Sequence, residues 1–231
     1  MDSFPEGYRA LVIGASGCIG AALVETLRAD PRCASVTELA RSTIPPLDLT
    51  DPTSIGQAAA EVAGQGPFHL IINAAGVLHS DAFMPEKRLA DLDHQQLLDT
   101  FQVNTFGPAL LLRHFCPLLD RQRGVLAMLS AKVGSIGDNR LGGWYSYRAS
   151  KAALNMLIKT AAIEVKRSQP NAVLLALHPG TVSSRLSQPF RGSEIGRPAS
   201  EAADDLLRVI DGLGPEASGG FYAYSGEGLP W

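Results

Sequence analysis

The feature that most constrains this chain is a rhythm: short apolar runs alternate with helix-length patterns over almost its whole length. Residues 10–13, 36–40, 68–72, 124–129, 172–177 and 220–224 read as strands. Residues 19–28, with Leu23 and Leu27 one helical turn apart, read as a helix, as do 54–63, 147–166 and 201–210. A longer helical stretch covers 91–119, and 47–49 is too short to assign from periodicity. Strands separated by helices form βαβ units. The pattern therefore predicts an α/β fold built on a single doubly wound parallel β-sheet with helices on both faces. With 231 residues and no internal repeat or low-complexity linker, a single domain over 1–231 is expected. Residues 183–198 carry Ser, Gly, Pro and Arg without periodicity, and a long loop in a compact domain is often a lid, here a mobile one over a substrate.

Composition removes several function classes. Apolar residues make up 45% and charged residues 19%, which excludes a disordered chain. The balance of 20 Lys+Arg against 23 Asp+Glu lacks the basic stripe that nucleic acid requires. Cys18, Cys33 and Cys116 are an odd number without a CxxC pair, so a reducing compartment fits better than a disulfide framework or a zinc knuckle. His69, His79, His94, His114 and His178 show no HExxH-like spacing, and no metal site is expected. Residues 10–24 carry no charge, yet this is short of the ~17–25 residues that span a bilayer. Asp2 and Glu6 stand before it, where a secretory signal wants only positive charge. The segment reads as strand, turn and helix in a cytoplasmic protein without a membrane partner.

Two motifs carry chemistry. Gly14-Ala15-Ser16-Gly17-Cys18-Ile19-Gly20 follows the first strand and opens the first helix. Backbone N–H groups at a helix N-terminus, with glycine removing side-chain bulk, make an anion site suited to a pyrophosphate. Glycines also mark ordinary turns, and the strand before and helix after are what raise this motif above them. The next strand ends Leu39-Ala40-Arg41-Ser42, where a dinucleotide fold meets the adenosine ribose. An arginine there favours a 2′-phosphate, hence NADP over NAD; Glu38 lies earlier, in the strand interior. Only residues 43–46 separate Ser42 from Leu47, so the usual crossover helix is missing and the adenosine end should be open.

The second motif is Tyr147-Arg148-Ala149-Ser150-Lys151, at the start of a helix continued by Ala152, Leu154, Leu157 and Ile158. Spacing of four puts phenol and ammonium on one helical face. A free tyrosine has a pKa near 10. A close lysine cation lowers it, burial raises it, and the cation must be near to win. A core tyrosine beside a solvated lysine is the bland alternative.

Together these pieces resemble the short-chain dehydrogenase/reductase family over essentially the full chain. Asn73-Ala74-Ala75-Gly76 is similar to the family's Asn-Ala-Gly motif, and Leu47-Asp48-Leu49-Thr50-Asp51 to its adenine-contacting segment. Val103-Asn104-Thr105 resembles its active-site asparagine, and Pro179-Gly180-Thr181-Val182-Ser183-Ser184 its nicotinamide-gripping stretch. Gly134-Ser135-Ile136-Gly137-Asp138-Asn139 running into Gly142-Gly143-Trp144-Tyr145-Ser146-Tyr147-Arg148 is similar to the C-factor-like and sniffer-like carbonyl reductase branch. So is the ending Gly219-Gly220-Phe221 through Leu229-Pro230-Trp231.

The resemblance implies a Rossmann fold and hydride transfer between a nicotinamide cofactor and a small carbonyl or alcohol. Tyr147 would protonate the carbonyl oxygen. Lys151 would bind the nicotinamide ribose and depress the Tyr147 pKa, and Asn104 would hold a water that refills the proton. Gly14, Ser16, Cys18, Ile19, Gly20, Arg41, Asp48, Leu49, Asn73, Ala74, Ala75, Gly76, Pro179, Gly180, Val182 and Ser184 would complete the cofactor site, with Asp48 as adenine acceptor. A homodimer or homotetramer is implied, through the helices after Asp91 and Tyr147 and the last strand.

Two positions depart from the family pattern. Cys18 stands where the main branch has its second glycine, giving instead the GxxGxxG spacing of sugar-nucleotide enzymes. Only 181–231 follows the Pro-Gly segment, little room for the substrate domain those enzymes append. Counting back from Gly134 puts Ala131 at the catalytic-serine position. Ser130 is adjacent, but strand alternation turns it to the opposite face unless a bulge re-aims it; Ser135 is another candidate hydroxyl. Losing a donor to a developing oxyanion costs roughly 10²–10³ in rate. The sequence thus supports an NADP-dependent reductase of small aldehydes or ketones. The alternative is a cofactor-binding signalling or regulatory protein with little or no turnover. No GxSxG elbow supports a serine hydrolase.

Overall fold

A computed structural model describes residues 1–231, the side chain of Ser193 excepted. The strands are β1 (Tyr8–Ile13), β2 (Cys33–Leu39), β3 (Leu70–Asn73), β4 (Val125–Leu129), β5 (Val173–His178) and β6 (Gly220–Ala223). Helices α1 (Cys18–Ala29), α2 (Pro52–Val62), α3 (His94–Phe101), α4 (Gly107–Phe115), α5 (Tyr145–Val165), α6 (Gly192–Ile195) and α7 (Ala199–Gly212) connect them. All strand pairs are parallel, in the order β2-β1-β3-β4-β5-β6. The chain leaves β1 toward β2 on one side and returns to β3 on the other. That reversal makes a crevice at the carboxyl ends of β1 and β3, the place where open α/β sheets bind ligands.

Alternation along the strands sends side chains to two core layers. Leu11, Ile13, Ile71, Leu126, Met128 and Leu174 meet α2, α4 and α5 through Ile55, Phe115, Leu154 and Ile158. Ala10, Val12, Leu70, Ile72, Val125 and Leu175 meet α1 and α7 through Leu23, Leu27, Leu206 and Ile210. Among the described residues no helix is long and apolar enough to cross a membrane, and no group of three His, Cys, Asp or Glu side chains could hold a metal ion.

The expected strands and helices all form, with ends shifted by a few residues. The stretch 91–119 differs most, because it is not one helix. Asp93 caps α3, its carboxylate accepting from Gln96 N–H, and a π-turn over Gln102–Phe106 separates α3 from α4. Pro108 explains part of the break: it has no N–H to give the carbonyl of Asn104 four residues back. From β2 to α2 the chain runs through turns alone. Leu47 N–H returns to Ala40 O at 2.9 Å, and Asp51 caps α2 with Pro52 in its first turn.

Candidate functional site

The turn after β1 is built from two glycines that admit no other residue cheaply. Gly14 has φ +79°, and a Cβ there would lie 2.7 Å from Ala75 N, in the loop after β3. A Cβ on Gly20 would lie 2.1 Å from Gly14 O. The two crevice loops are thereby held together, with Gly14 N–H on Leu39 O and Ala74 N–H on Ile13 O, each at 2.8 Å. Helix α1 opens at Cys18, and its N-cap Gly17 supplies no side chain, which leaves the first N–H groups to an anion. A cavity of about 370 Å³ lies beside this turn, lined by Gly14, Ser16, Gly17, Arg41, Asp48, Leu49, Ala74, Ala75 and Gly76 among others. Its glycine cradle and free helix terminus fit a pyrophosphate, and its far end fits an adenosine.

At that far end Arg41 is free of Glu38, which is bonded to Arg28 at 2.5 Å on the flank of the sheet. Asp48 accepts from Thr50 N–H at 2.9 Å and Thr50 Oγ1 at 2.8 Å. Those bonds, and then the Arg41 charge, hold its carboxyl below the usual range.

Tyr147 and Lys151 stand one turn apart at the start of α5, Lys151 Nζ 5.8 Å from the phenol ring centre. Lys151 is buried and donates to Leu129 O at 2.9 Å. It also borders the cavity loop, since a Cβ on Gly76 would lie 3.4 Å from Nζ. The expectation that Lys151 depresses the Tyr147 pKa is corrected here. Burial wins: it pushes the phenol up to about 12 and the ammonium down to about 8.

Asn104 sits in the π-turn with both amide protons engaged. Its Nδ2 donates to Val77 O at 2.8 Å and Ser150 Oγ at 3.2 Å, and Oδ1 accepts from Val77 N–H at 2.9 Å. The Asn104 side chain therefore has no proton left to give a water, while Oδ1, with one donor, keeps a second acceptor position. The group left without an α-helical donor is its carbonyl, through Pro108.

The serine question resolves geometrically. Ser130 Oγ donates to Asn155 Oδ1 at 2.6 Å, turned into the α5 packing layer, and Ser135 Oγ accepts from Asp138 N–H at 3.1 Å. Neither bond directs the hydroxyl to Tyr147.

Several expected cofactor residues turn their side chains elsewhere. Asn73 Oδ1 accepts from Ala75 N–H at 3.1 Å and shapes the crevice loop. Ile19 packs into the core, as does Leu49, and Gly20 packs on Gly14. The Cys18 thiol reaches Ser183 O at 3.4 Å, so the residue replacing a glycine touches the segment after Gly180. Val182 is buried and pairs with Arg197, and Ser184 bonds within its own turn to Ser187. Gly180, at φ +76°, packs so near Tyr224 that a Cβ would lie 2.8 Å from its ring, which carries the Arg197 guanidinium at 4.5 Å; Pro179 leads into it.

Residues 183–198 contain a 3₁₀ turn (Gln188–Phe190) and α6, and their ends pair through Ser183 N–H to Arg197 O at 2.9 Å. Ser193, inside that range, lies outside the described side chains. Phe190 packs 4.9 Å from Trp144 and 5.9 Å from His79, and Trp144 meets Tyr147 edge-on at 6.2 Å. Trp144 adopts a left-handed conformation, φ 52°, costing about 1–2 kcal/mol. Glu86 and Thr105 also bind the start of α5, through Ser146 and Ser150. No periodicity could have marked Glu86, which comes from an irregular loop.

A glycine-built anion turn at a sheet reversal, joined through Gly76 to a Tyr-Lys pair whose lysine is buried, defines a nicotinamide-dependent oxidoreductase. Comparison narrows the class: the sequence profile described as short chain dehydrogenase matches residues 8–194, and the chain belongs to that family. It is 36% identical to C-signal of Myxococcus xanthus over 169 residues, 72% of this chain and 94% of that one. It is 34% identical to a 1-hydroxy-2-glutathionyl-2-methyl-3-butene dehydrogenase of Rhodococcus sp. (strain AD45), over 81% of this chain and 79% of that one. The NADPH-bound carbonyl reductase from chicken fatty liver superposes with TM-score 0.83 at 25% identity, over 99% of this chain and 96% of that one. The expected resemblance to the C-factor-like branch agrees with the first of these.

Proposed function

We propose that this chain binds NADPH in preference to NADH and reduces a small aldehyde or ketone. One proximity carries the reading: Lys151 Nζ lies beside Gly76 of the dinucleotide cavity and 5.8 Å from the Tyr147 ring. Relatives named for carbonyl reduction and for dehydrogenation support it.

A nicotinamide dinucleotide supplies the hydride, and the chain supplies binding, orientation and the proton. Tyr147 keeps its proton up to a pKa of about 12, which suits it to donate to a carbonyl oxygen gaining negative charge. Lys151 binds the nicotinamide ribose, and the Asn104 carbonyl holds the water through which the proton is refilled. Gly14, Ser16 and the first N–H groups of α1 take the pyrophosphate, Asp48 the adenine amino group and Arg41 the 2′-phosphate. Main-chain groups of Pro179, Gly180, Val182 and Ser184 hold the nicotinamide end, with 183–198 as a mobile lid on one domain.

The chain acts as a homodimer or homotetramer in the cytoplasm. A groove of about 490 Å³ between α4 and α5, where Leu112, Leu157 and Ala161 stand beside Arg113, Thr160 and Glu164, supports the first point. Three free cysteines support the second. Ala131 favours one other reading, a cofactor-binding regulator with little turnover. Steady-state NADPH oxidation against a panel of aldehydes and ketones separates them. Turnover of at least one supports the reductase, whereas tight NADPH binding with no turnover supports the regulator.

A further inference from the structure

Glu86 is buried, with 2% of its surface exposed, a state that carboxylates reach only when paired. Its partner is the first turn of α5. Ser146 N–H donates to both carboxylate oxygens, at 3.3 and 3.2 Å, and the Ser146 hydroxyl donates to Oε1. Trp144, the N-cap, offers no side-chain acceptor to the helix, and its own N–H donates to Glu86 O at 2.5 Å. One residue from another loop thus caps α5 and holds Trp144 in its left-handed conformation.

Ser146 immediately precedes Tyr147, and Ser150 immediately precedes Lys151. Ser150 is fixed independently: Asn104 Nδ2 donates to its hydroxyl, and Thr105 Oγ1 donates to its carbonyl at 2.9 Å. The Tyr-x-x-x-Lys face is therefore shadowed by a Ser-x-x-x-Ser face, with one serine anchored to Glu86 and the other to the π-turn. If the first anchor is lost, the first turn swings about the second and Tyr147 moves relative to Lys151. From this arrangement we infer that Glu86 is a positioning residue for Tyr147, acting through Ser146; the inference rests on Tyr147 being the proton donor.

The test compares Glu86→Ala, Glu86→Gln, Ser146→Ala and Tyr147→Phe. Glu86→Ala lowers kcat on the order of 10–100-fold, the scale of a misplacement near 1 Å, while the NADPH Kd stays unchanged. Glu86→Gln keeps an oxygen acceptor in the same place and restores most of the rate. Ser146→Ala loses less than Glu86→Ala, and the double variant is no worse than Glu86→Ala alone. Should Glu86→Ala fail to fold, Ser146→Ala decides: a wild-type rate there overturns the inference. So does a rate loss matched by equal loss of NADPH affinity. A Tyr147→Phe variant at full rate defeats the proton-donor reading instead, whatever Glu86 does. Amide exchange gives a readout without turnover. Faster exchange at Trp144 and Ser146 in Glu86→Ala, with α5 beyond Lys151 unchanged, supports the anchor, and unchanged exchange contradicts it.

Discussion

Ser130 Oγ donates to Asn155 Oδ1 at 2.6 Å, which fastens β4 to α5 and leaves the methyl of Ala131 on the opposite side of the extended chain. The hydroxyl nearest in sequence to the family's catalytic-serine position thus serves packing. Ala131→Ser adds a donor where a carbonyl oxygen would gain charge and raises kcat by up to roughly 10²–10³. Ser130→Ala leaves the rate near wild type and costs about 1–3 kcal/mol of stability, because Asn155 Oδ1 loses its donor in a buried site. Steady-state kinetics and denaturant melts of both variants check this.

Arg41 lines the adenosine end of the cavity near the Asp48 carboxylate and is free of Glu38, which is bonded to Arg28. A charge-assisted contact to a 2′-phosphate is worth about 1.5–3 kcal/mol. Arg41→Ala therefore weakens NADPH binding roughly 10- to 100-fold and leaves NADH binding almost unchanged. Titration with both cofactors gives the ratio.

The glycines of the first turn differ in kind. A Cβ at Gly20 strikes the Gly14 carbonyl at 2.1 Å, and backbone cannot move aside as a flexible side chain can. Gly20→Ala loses more than about 3 kcal/mol of stability. Gly17 has φ −80°, which any residue tolerates, and its Cβ position is 3.2 Å from the same carbonyl. Gly17→Ala stays within about 1 kcal/mol of wild type. Thermal melts of the two variants make the comparison.

His178 is held neutral at the end of β5. Burial, and then the Lys132 charge, lower its pKa from 6.5 to about 4. Between those values the unfolded chain binds more protons than the folded one, so stability falls as pH falls from 6.5 toward 4. The group accounts for up to about 3 kcal/mol across that window. Denaturant melts from pH 7 to pH 4 should show the slope in the wild type, and His178→Gln should reduce it, leaving the part due to His69, whose pKa burial also lowers.

The sheet was legible because its strands are continuous apolar runs separated by helical periodicity, and parallel order follows from that alternation. The shape of 91–119 was not, because a π-turn preserves the apolar stripe while breaking the helix, and Pro108 alone hints at it. Gly14, Gly20, Gly76, Tyr147 and Lys151 stood out as motifs, and the fold gathers them at one crevice. The balance of charge and burial at Tyr147 could not be read, since it depends on how deeply α5 starts inside the molecule. Glu86 was invisible for a related reason: its capping role is made across 60 residues of chain.

Tyr147 gives its proton as hydride arrives in the proposed reaction, and single-turnover NADPH oxidation in Tyr147→Phe tests that directly. With NADPH bound at wild-type affinity and a carbonyl the wild type reduces, the account predicts a rate lower by roughly 10²–10⁴-fold. An unchanged rate in that variant would contradict it.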